Sequence, residues 1–240
     1  MPTISIIIPI LNEADNLPHL FVHIIGLNPP PQQVILVDGG SNDESLALTQ
    51  NLIADVTRDN QSDIDWQVVW QVIQSQAGRA RQMNKGAALA TGDVLLFLHA
   101  DTKLPPQAIT DIKTATQDKK WGRFDVRLNS PDWMLKRVSK MINLRSRLTG
   151  IATGDQAIFI KRDWFEQIGG YPDQALMEDV EISKRLKTIG KPACLTSQVI
   201  TSARRWQQHG TCRTILLMWR LRFDYWRGVP ADNIWQRYYR

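Results

Sequence analysis

This 240-residue sequence predicts an α/β fold, a mostly parallel central sheet flanked by helices, and three observations support that prediction. Short β-branched apolar runs at residues 3–9, 33–38 and 94–98 lack polar alternation, the pattern of strands buried on both faces. Between them lie stretches whose apolar residues repeat at helical spacing. The alternation of strand and helix persists through the first hundred residues, which implies right-handed βαβ units.

Taken in order, Thr3-Ile4-Ser5-Ile6-Ile7-Ile8-Pro9 is the first strand. Leu17, Leu20, Phe21, Ile24 and Ile25 mark a helix that ends near Gly26, with prolines 29–31 beyond it. Residues 33–38 form the second strand. Ser41 and Glu44 have capping-box spacing and predict a helix running to about Asp55. Trp66-Gln67-Val68-Val69-Trp70 reads as a third strand, 79–90 as a helix stopped at Thr91-Gly92, and 94–98 as a fourth strand. The second half is less regular. Strands are expected near 122–128, 156–160 and 194–200, and helices over 105–117, 132–147, 162–168, 179–189 and 212–227. With no internal repeat, low-complexity segment or linker, one domain over 1–240 is expected, with a half-boundary near 100.

Hydrophobic content of 43% and charged content of 22% are ordinary for a packed domain and exclude a disordered or collagen-like chain. Cys194 and Cys212 have neither metal-site spacing nor a disulfide framework, which suggests a reducing, cytoplasmic setting. The N-terminus has no basic segment ahead of its apolar run, so a signal peptide is not expected. No stretch approaches eighteen uninterrupted apolar residues, so no membrane-spanning helix is expected either. Residues 201–240 hold eight arginines against Asp224 and Asp232, which more than accounts for the formal net charge of +5. The same segment carries eight aromatic residues. Such a tail suits nucleotide phosphates, anionic lipid or nucleic acid, and composition does not choose among them.

In open parallel sheets, ligands sit beyond the carboxyl ends of the strands. Polar residues collect there: Asn12 and Glu13 after the first strand, residues 38–43 after the second, and His99, Asp101 and Thr102 after the fourth. Asp and Asn also cap helices and make turns at such places, so each loop alone has two readings. Three together favour a site for a cation and a hydroxyl-rich nucleotide.

Ser5-Ile6-Ile7-Ile8-Pro9-x-Leu11-Asn12-Glu13, Val37-Asp38-Gly39-Gly40-Ser41-x-Asp43 and Leu96-Phe97-Leu98-His99-Ala100-Asp101-Thr102 resemble, in order and spacing, the signature blocks of glycosyltransferase family 2. Residues 78–87 resemble the family's Asn-x-Gly segment, through Asn84-Lys85-Gly86, and Leu176-Met177-Glu178-Asp179 resembles its Glu-Asp motif. The combination also resembles a bacterial subgroup described as radical-SAM/selenodomain-associated transferases. The likeness extends over roughly residues 3–206.

This resemblance implies a GT-A fold, a Rossmann-like sandwich, and an inverting hexosyltransferase-type enzyme with a nucleoside-diphosphate sugar donor, UDP being favoured. It also implies a nucleotide-binding half at 1–100, a metal and acceptor half at 101–206, and a basic aromatic tail at 207–240. Pro9, Asn12, Glu13, Asp38 and Gly39 are implied to hold the nucleoside, with Asn84 and His99 on the donor side. Asn12 has a second reading as a helix N-cap. Asp101 stands where the family's Asp-x-Asp motif ends and is the expected ligand for Mn2+ or Mg2+, a hard cation that neutralises departing diphosphate. His99 departs from the motif's first aspartate and reads as a packed histidine, a ribose partner or a soft ligand. His209 reads as a late metal ligand or a surface histidine.

Asp179, at the start of an amphipathic helix, is the expected general base, kept anionic by the helix dipole. Glu178, Gly154 and Asp155 are expected to line the acceptor pocket. Arg79 and Arg81 sit where guanidinium groups grip phosphate, or else form a solvated helix face. Arg204-Arg205-Trp206 resembles the Gln-x-x-Arg-Trp motif of processive members, but Ser202 replaces the glutamine, which argues against a polymer synthase. Arg205 is expected on the diphosphate and Trp206 on the acceptor. Residues 133–147 and 218–227 are basic and amphipathic. They suit an anionic membrane and a lipid-linked acceptor at the inner face, or a core-facing stripe or homodimer contact. Nucleic acid is not expected as a partner.

Two other functions compete. A sugar nucleotidyltransferase would carry a glycine-rich loop with Arg and Lys after the first strand, where this chain has Ile10-Leu11-Asn12-Glu13. A nucleotide-sugar binder without turnover needs no base, and the presence of both Asp101 and Asp179 argues against it. The enzyme reading requires these two carboxylates to converge on one pocket.

Overall fold

A computed structural model describes residues 1–59 and 68–238. The strands are β1 (Ile4–Ile10), β2 (Gln33–Asp38), β3 (Val69–Gln74), β4 (Val94–Phe97), β5 (Thr102–Lys103), β6 (Trp121–Leu128), β7 (Phe159–Lys161) and β8 (Ala193–Thr201). They form one sheet in the order β3-β2-β1-β4-β7-β6-β8-β5. β1 to β4 are mutually parallel. β7 runs against both β4 and β6, β8 is parallel to β6, and β5 runs against β8. The sheet is therefore parallel on one side and mixed on the other.

Alternation along β1 explains its continuous apolar run. Ile4, Ile6, Ile8 and Ile10 face one layer, where Leu17 and Leu20 of α1 (Leu17–Ile25) and Ile109 and Ile112 of α4 (Ala108–Asp118) pack against them. Ile7 faces the other layer, with Ala80 and Met83 of α3 (Arg79–Ala88) and Ile182 and Leu186 of α7 (Glu178–Ile189). Each fully buried isoleucine contributes ~1.5–3 kcal/mol, so a strand covered on both faces has no position to spare for a polar residue. Gly86 lets α3 lie close on the sheet: a Cβ there would stand 2.6 Å from Ile7 Cγ2.

The remaining helices are α2 (Ser45–Asp59), α5 (Trp133–Thr149), α6 (Arg162–Gln167), α8 (Arg204–His209), α9 (Thr211–Trp226) and α10 (Ala231–Tyr238). Among the described residues, no helix is long and apolar enough to cross a membrane.

Four details differ from the sequence expectation. The Ser41–Glu44 capping box does not form, because Ser41 Oγ donates to Asp38 Oδ1 at 2.5 Å. α2 starts instead at Ser45, whose N–H donates to Asp43 Oδ1 at 3.0 Å. The third strand runs to Gln74 rather than Trp70. It lies at the sheet edge, and its alternating exposure hides it from a search for apolar runs; Trp66 and Gln67 lie outside the described residues. The strand expected from 156 begins at Phe159, after a 3-10 turn over Gly154–Gln156 closed by a capping box between Thr153 and Gln156. The tail holds three helices, α8, α9 and α10, where one was expected.

Candidate active site

Parallel pairing brings the ends of β1 and β2 into register at Ile10 and Asp38. Gln82 of α3, which is buried, fixes those ends by donating through Nε2 to Ile10 O at 2.8 Å and Val37 O at 2.7 Å. The two loops beyond are laced together. Asn12 takes a left-handed backbone conformation, φ 55°, and its Oδ1 accepts from the Asn42 N–H at 2.8 Å. The Asn12 N–H donates to Ser41 Oγ at 3.0 Å and the Glu13 N–H to Ser45 Oγ at 2.8 Å. Asp38 is buried and accepts from the Gly40 N–H at 3.0 Å as well as from Ser41. These polar groups satisfy one another and hold the rim in shape.

That rim borders a cleft of about 920 Å³. Pro9 and Glu13 line it from the β1 end, Gly78 and Arg79 from the start of α3, and His99 and Asp101 from beyond β4. Arg205, Trp206 and His209 of the α8 segment and Trp235 and Tyr238 of α10 close the far side. Arg205 stacks on the Tyr238 ring, 3.4 Å from its centroid, and donates to Tyr238 O at 2.7 Å. Arg204 Nη2 lies 4.0 Å from Glu13 Oε2 across the cleft. Burial raises the Glu13 carboxyl above its ordinary value; its bond from Asn16 opposes this, and the charge of Asp101 adds to the rise. The positive charge of Arg79 bears on Glu13, Asp155 and Glu178 together.

Behind His99 lies a second, small cavity lined by Met83, Phe97, Gly154, Tyr171, Glu178 and Asp179. The Gly154 N–H donates to Asp179 Oδ2 at 3.0 Å, tying the 3-10 turn to the first turn of α7. Gly154 also leaves room for the imidazole, since a Cβ there would stand 2.6 Å from His99 Cε1. His99 Nδ1 lies 3.5 Å from Asp155 Oδ1. Burial raises Asp155, but His99, then Arg79 and Arg222, outweigh it and hold the carboxyl below its ordinary value. Glu178 is 6% exposed, and burial followed by the neighbouring charge of Asp179 pushes its pKa up to about 7. A buried carboxyl poised to change protonation near neutral pH is what acid–base chemistry uses.

The expected convergence of Asp101 and Asp179 on one pocket is not met. Asp101 lines the large cleft and Asp179 the small cavity, and His99 borders both. Of the expected donor residues, Pro9, Glu13, Arg79, His99 and Arg205 line the cleft. Asn12, Asp38 and Gly39 stand behind its rim and shape the loops. Asn84 is a clamp elsewhere: its side chain donates to Tyr171 O at 2.8 Å and accepts from the Tyr171 N–H at 2.9 Å. Asp155 and Trp206 line the large cleft, while Gly154 and Glu178 line the small cavity. Arg81 also lines the large cleft, paired there with Asp173 at 2.8 Å.

The sequence reading missed Gln82, whose helical spacing alone marked it as core-facing, and the wall made by α10. Among the described residues no three His, Cys, Asp or Glu side chains are arranged to hold a metal. Asp101 lines the cleft and offers hard oxygen atoms of the kind that ligate a divalent cation.

The sequence model described as Glycosyl transferase family 2 matches residues 5–168. An undecaprenyl-phosphate 4-deoxy-4-formamido-L-arabinose transferase of Sodalis glossinidius is 32% identical over 168 residues, covering 66% of this chain and 48% of that protein. A protein of the same name from Enterobacter sp. is 29% identical over 163 residues, covering 66% and 47%. The chain thus spans about half the length of the curated relatives it matches. Among solved structures, a mannosyltransferase from Pyrobaculum calidifontis in complex with GDP-Man and Mn2+ aligns with a TM-score of 0.64 at 19% identity, over 83% of this chain and 56% of that one. S. aureus TarS 1-349 in complex with UDP aligns at 0.60 with 14% identity, over 83% and 60%. GalNAc-T7 with UDP, GalNAc and Mn2+ aligns at 0.63 with 18% identity, over 84% and 44%.

Proposed function

The chain belongs to glycosyltransferase family 2 and has the GT-A fold, and from that premise we propose that it moves a sugar, with inversion, from a nucleoside-diphosphate donor to an acceptor hydroxyl. One observation carries this reading: Pro9, Glu13, Arg79, His99, Asp101 and Arg205, from four separate segments, line one cleft of about 920 Å³, and the Glu178–Asp179 pair lines the small cavity that His99 shares with it.

The nucleoside lies against Pro9 and Glu13, on the rim that Asn12, Asp38 and Gly39 hold in shape. Arg79 and Arg205 face the diphosphate, and guanidinium forks match its oxygens bidentately. Asp101, with His209 lining the same cleft, would hold Mn2+ or Mg2+, which would supply positive charge against the departing diphosphate. Asp179 takes the proton from the acceptor hydroxyl. The new bond to the anomeric carbon forms on the face opposite the breaking bond to diphosphate, and the configuration inverts. Gly154, Asp155, Glu178 and Trp206 border the acceptor. The halves at 1–100 and 101–206 divide donor from acceptor work, with 207–240 as a basic aromatic tail.

The names of the curated relatives, transferases acting with undecaprenyl phosphate, support a lipid-linked acceptor and peripheral attachment at the inner face of a membrane. UDP is the preferred nucleotide, supported by two of the neighbours' complexes. The likeness to the radical-SAM/selenodomain-associated subgroup rests on the sequence motifs alone.

A thermal-shift panel of nucleoside diphosphates with and without Mn2+ tests the donor half. At a ligand concentration about a hundredfold above Kd, the gain is ~2.7 kcal/mol, or a melting-point rise of roughly 5–10 °C. Asp101→Ala is expected to remove the metal-dependent part of that rise. No stabilisation by any diphosphate would rule the reading out. The division of the two cavities by His99 favours one alternative, a nucleotide-sugar binder without turnover. Metal-stimulated release of nucleoside diphosphate from a UDP-sugar over many turnovers would exclude it.

A further inference from the structure

Two cations, on α5 and α9, have no role in the mechanism above. Arg145 of α5 has Nε and Nη2 buried without a hydrogen-bond partner among the described residues. Arg222 of α9 is partly buried, and among the described residues no carboxylate lies within 4.0 Å of either guanidinium. The packing brings α9 to the start of α7, the helix that carries the candidate base. Ile142 of α5 and Ile215 of α9 pack in one cluster with Trp206. Leu221 of α9 packs on Met177, at the start of α7, and Tyr225 Oη donates to Glu181 Oε2 at 3.0 Å. This puts Arg222 over the first turn of α7, where Asp179 sits, and the charge of Asp179 bears on both arginines. Burial, then the like charge of Arg222, pulls the Arg145 pKa down to about 10, the signature of guanidinium groups desolvated together without an adequate counter-ion.

Exposed apolar side chains surround both positions. Met141 and Leu148 stand four residues before and three after Arg145, with Leu144 beside it. Trp219 and Trp226 stand three before and four after Arg222, with Phe223 beside it. Residues at those spacings share a helix face. A ligand that completes this wall is therefore an oxyanion on an apolar chain: guanidinium forks suit phosphate, and the apolar side chains suit hydrocarbon.

We infer that Arg145 and Arg222 form a subsite for the phosphate of a long-chain lipid phosphate, whose hydrocarbon lies along the exposed apolar residues of α5 and α9 and whose headgroup thereby reaches the Asp179 side of the site. This rests on Asp179 marking the acceptor side and refines the lipid-linked acceptor proposed above to two residues.

Co-sedimentation with phosphatidylcholine vesicles doped with a long-chain isoprenyl phosphate, the matching isoprenyl alcohol or phosphatidylserine tests it. The wild-type protein is expected to partition at least tenfold more strongly onto the isoprenyl phosphate than onto either control. Arg145→Gln and Arg222→Gln are each expected to lose most of that preference, and Arg222→Lys, which keeps the charge without the fork, to lose part of it. Equal binding to phosphatidylserine means general surface charge and overturns the subsite; so does equal binding to the alcohol, or full preference in the double Gln variant. A stable dimer that buries the α5 and α9 apolar residues and prevents vesicle binding overturns it too. If a Gln variant melts early, the wild-type comparison of phosphate against alcohol decides alone. Failure here is separate from failure of the donor reading, since the nucleotide panel on wild-type protein reports only the latter.

Discussion

The proposed donor rim and the proposed acceptor wall treat their polar groups in opposite ways. On the rim, Asp38, Ser41, Asn12 and Gln82 bond to each other and to strand ends, so the loops hold their shape without a ligand. On the wall, Glu178 is buried beside another carboxyl, and Arg145 has buried nitrogens without partners among the described residues. A rim built this way binds by preorganisation. A wall built this way holds groups whose electrostatic cost falls only when the right partner arrives. The difference fits a common nucleotide donor on one side and a particular acceptor on the other.

The largest expected effect breaks the comparison at its most reactive point. Asp179→Asn keeps an acceptor for the Gly154 N–H, so the fold and melting point are expected to hold while kcat falls about 10³-fold, or ~4 kcal/mol on the barrier. A loss under tenfold would move the base elsewhere.

Next comes Glu178→Gln. The wild-type carboxyl has its pKa raised from 4.5 to about 7 in the folded protein, so the protein holds this proton more tightly than the unfolded chain. Its contribution is present below pH 4.5 and is lost as pH rises through 7. The glutamine variant is expected to be more stable than wild type at pH 8, by on the order of 3 kcal/mol, and to lose this part of the pH slope. Urea unfolding at pH 5 and pH 8 measures both.

Asn84→Ala sharpens the rim side. It removes both bonds to the Tyr171 backbone and is expected to cost about 2 kcal/mol of stability, with no selective change in nucleotide binding. A selective loss of nucleotide binding would return Asn84 to the donor site. The smallest effect is expected on the exposed outer face of the wall: Trp226→Ser should change stability by no more than about 0.5 kcal/mol in denaturant unfolding. A larger loss would mean that this face is part of the folded core.

Much of the fold was legible in the residue order. β1, β2 and β4 are covered on both faces, so burial leaves an unbroken apolar run that no surface strand shows. The edge strand β3, with only one well-buried residue, was read too short for the same reason. Within the site, the family resemblance pointed to Pro9, Glu13, Arg79, His99, Asp101, Arg205, Trp206 and His209, and all of them line the large cleft.

Tertiary structure decided which polar groups turn outward. Asp38 and Asn84 have the composition of ligand contacts, yet neighbouring backbone groups claim their hydrogen bonds. Gln82, which the sequence did not single out, ties two strand ends. Arg145 and Arg222 lie far apart in the chain, and the charge of Asp179 bears on both, although neither pairs with it, because of how α5, α7 and α9 pack. Periodicity is a local property that residue order carries by itself. Whether a buried donor or charge finds a partner depends on which distant element lands beside it, and packing alone decides that.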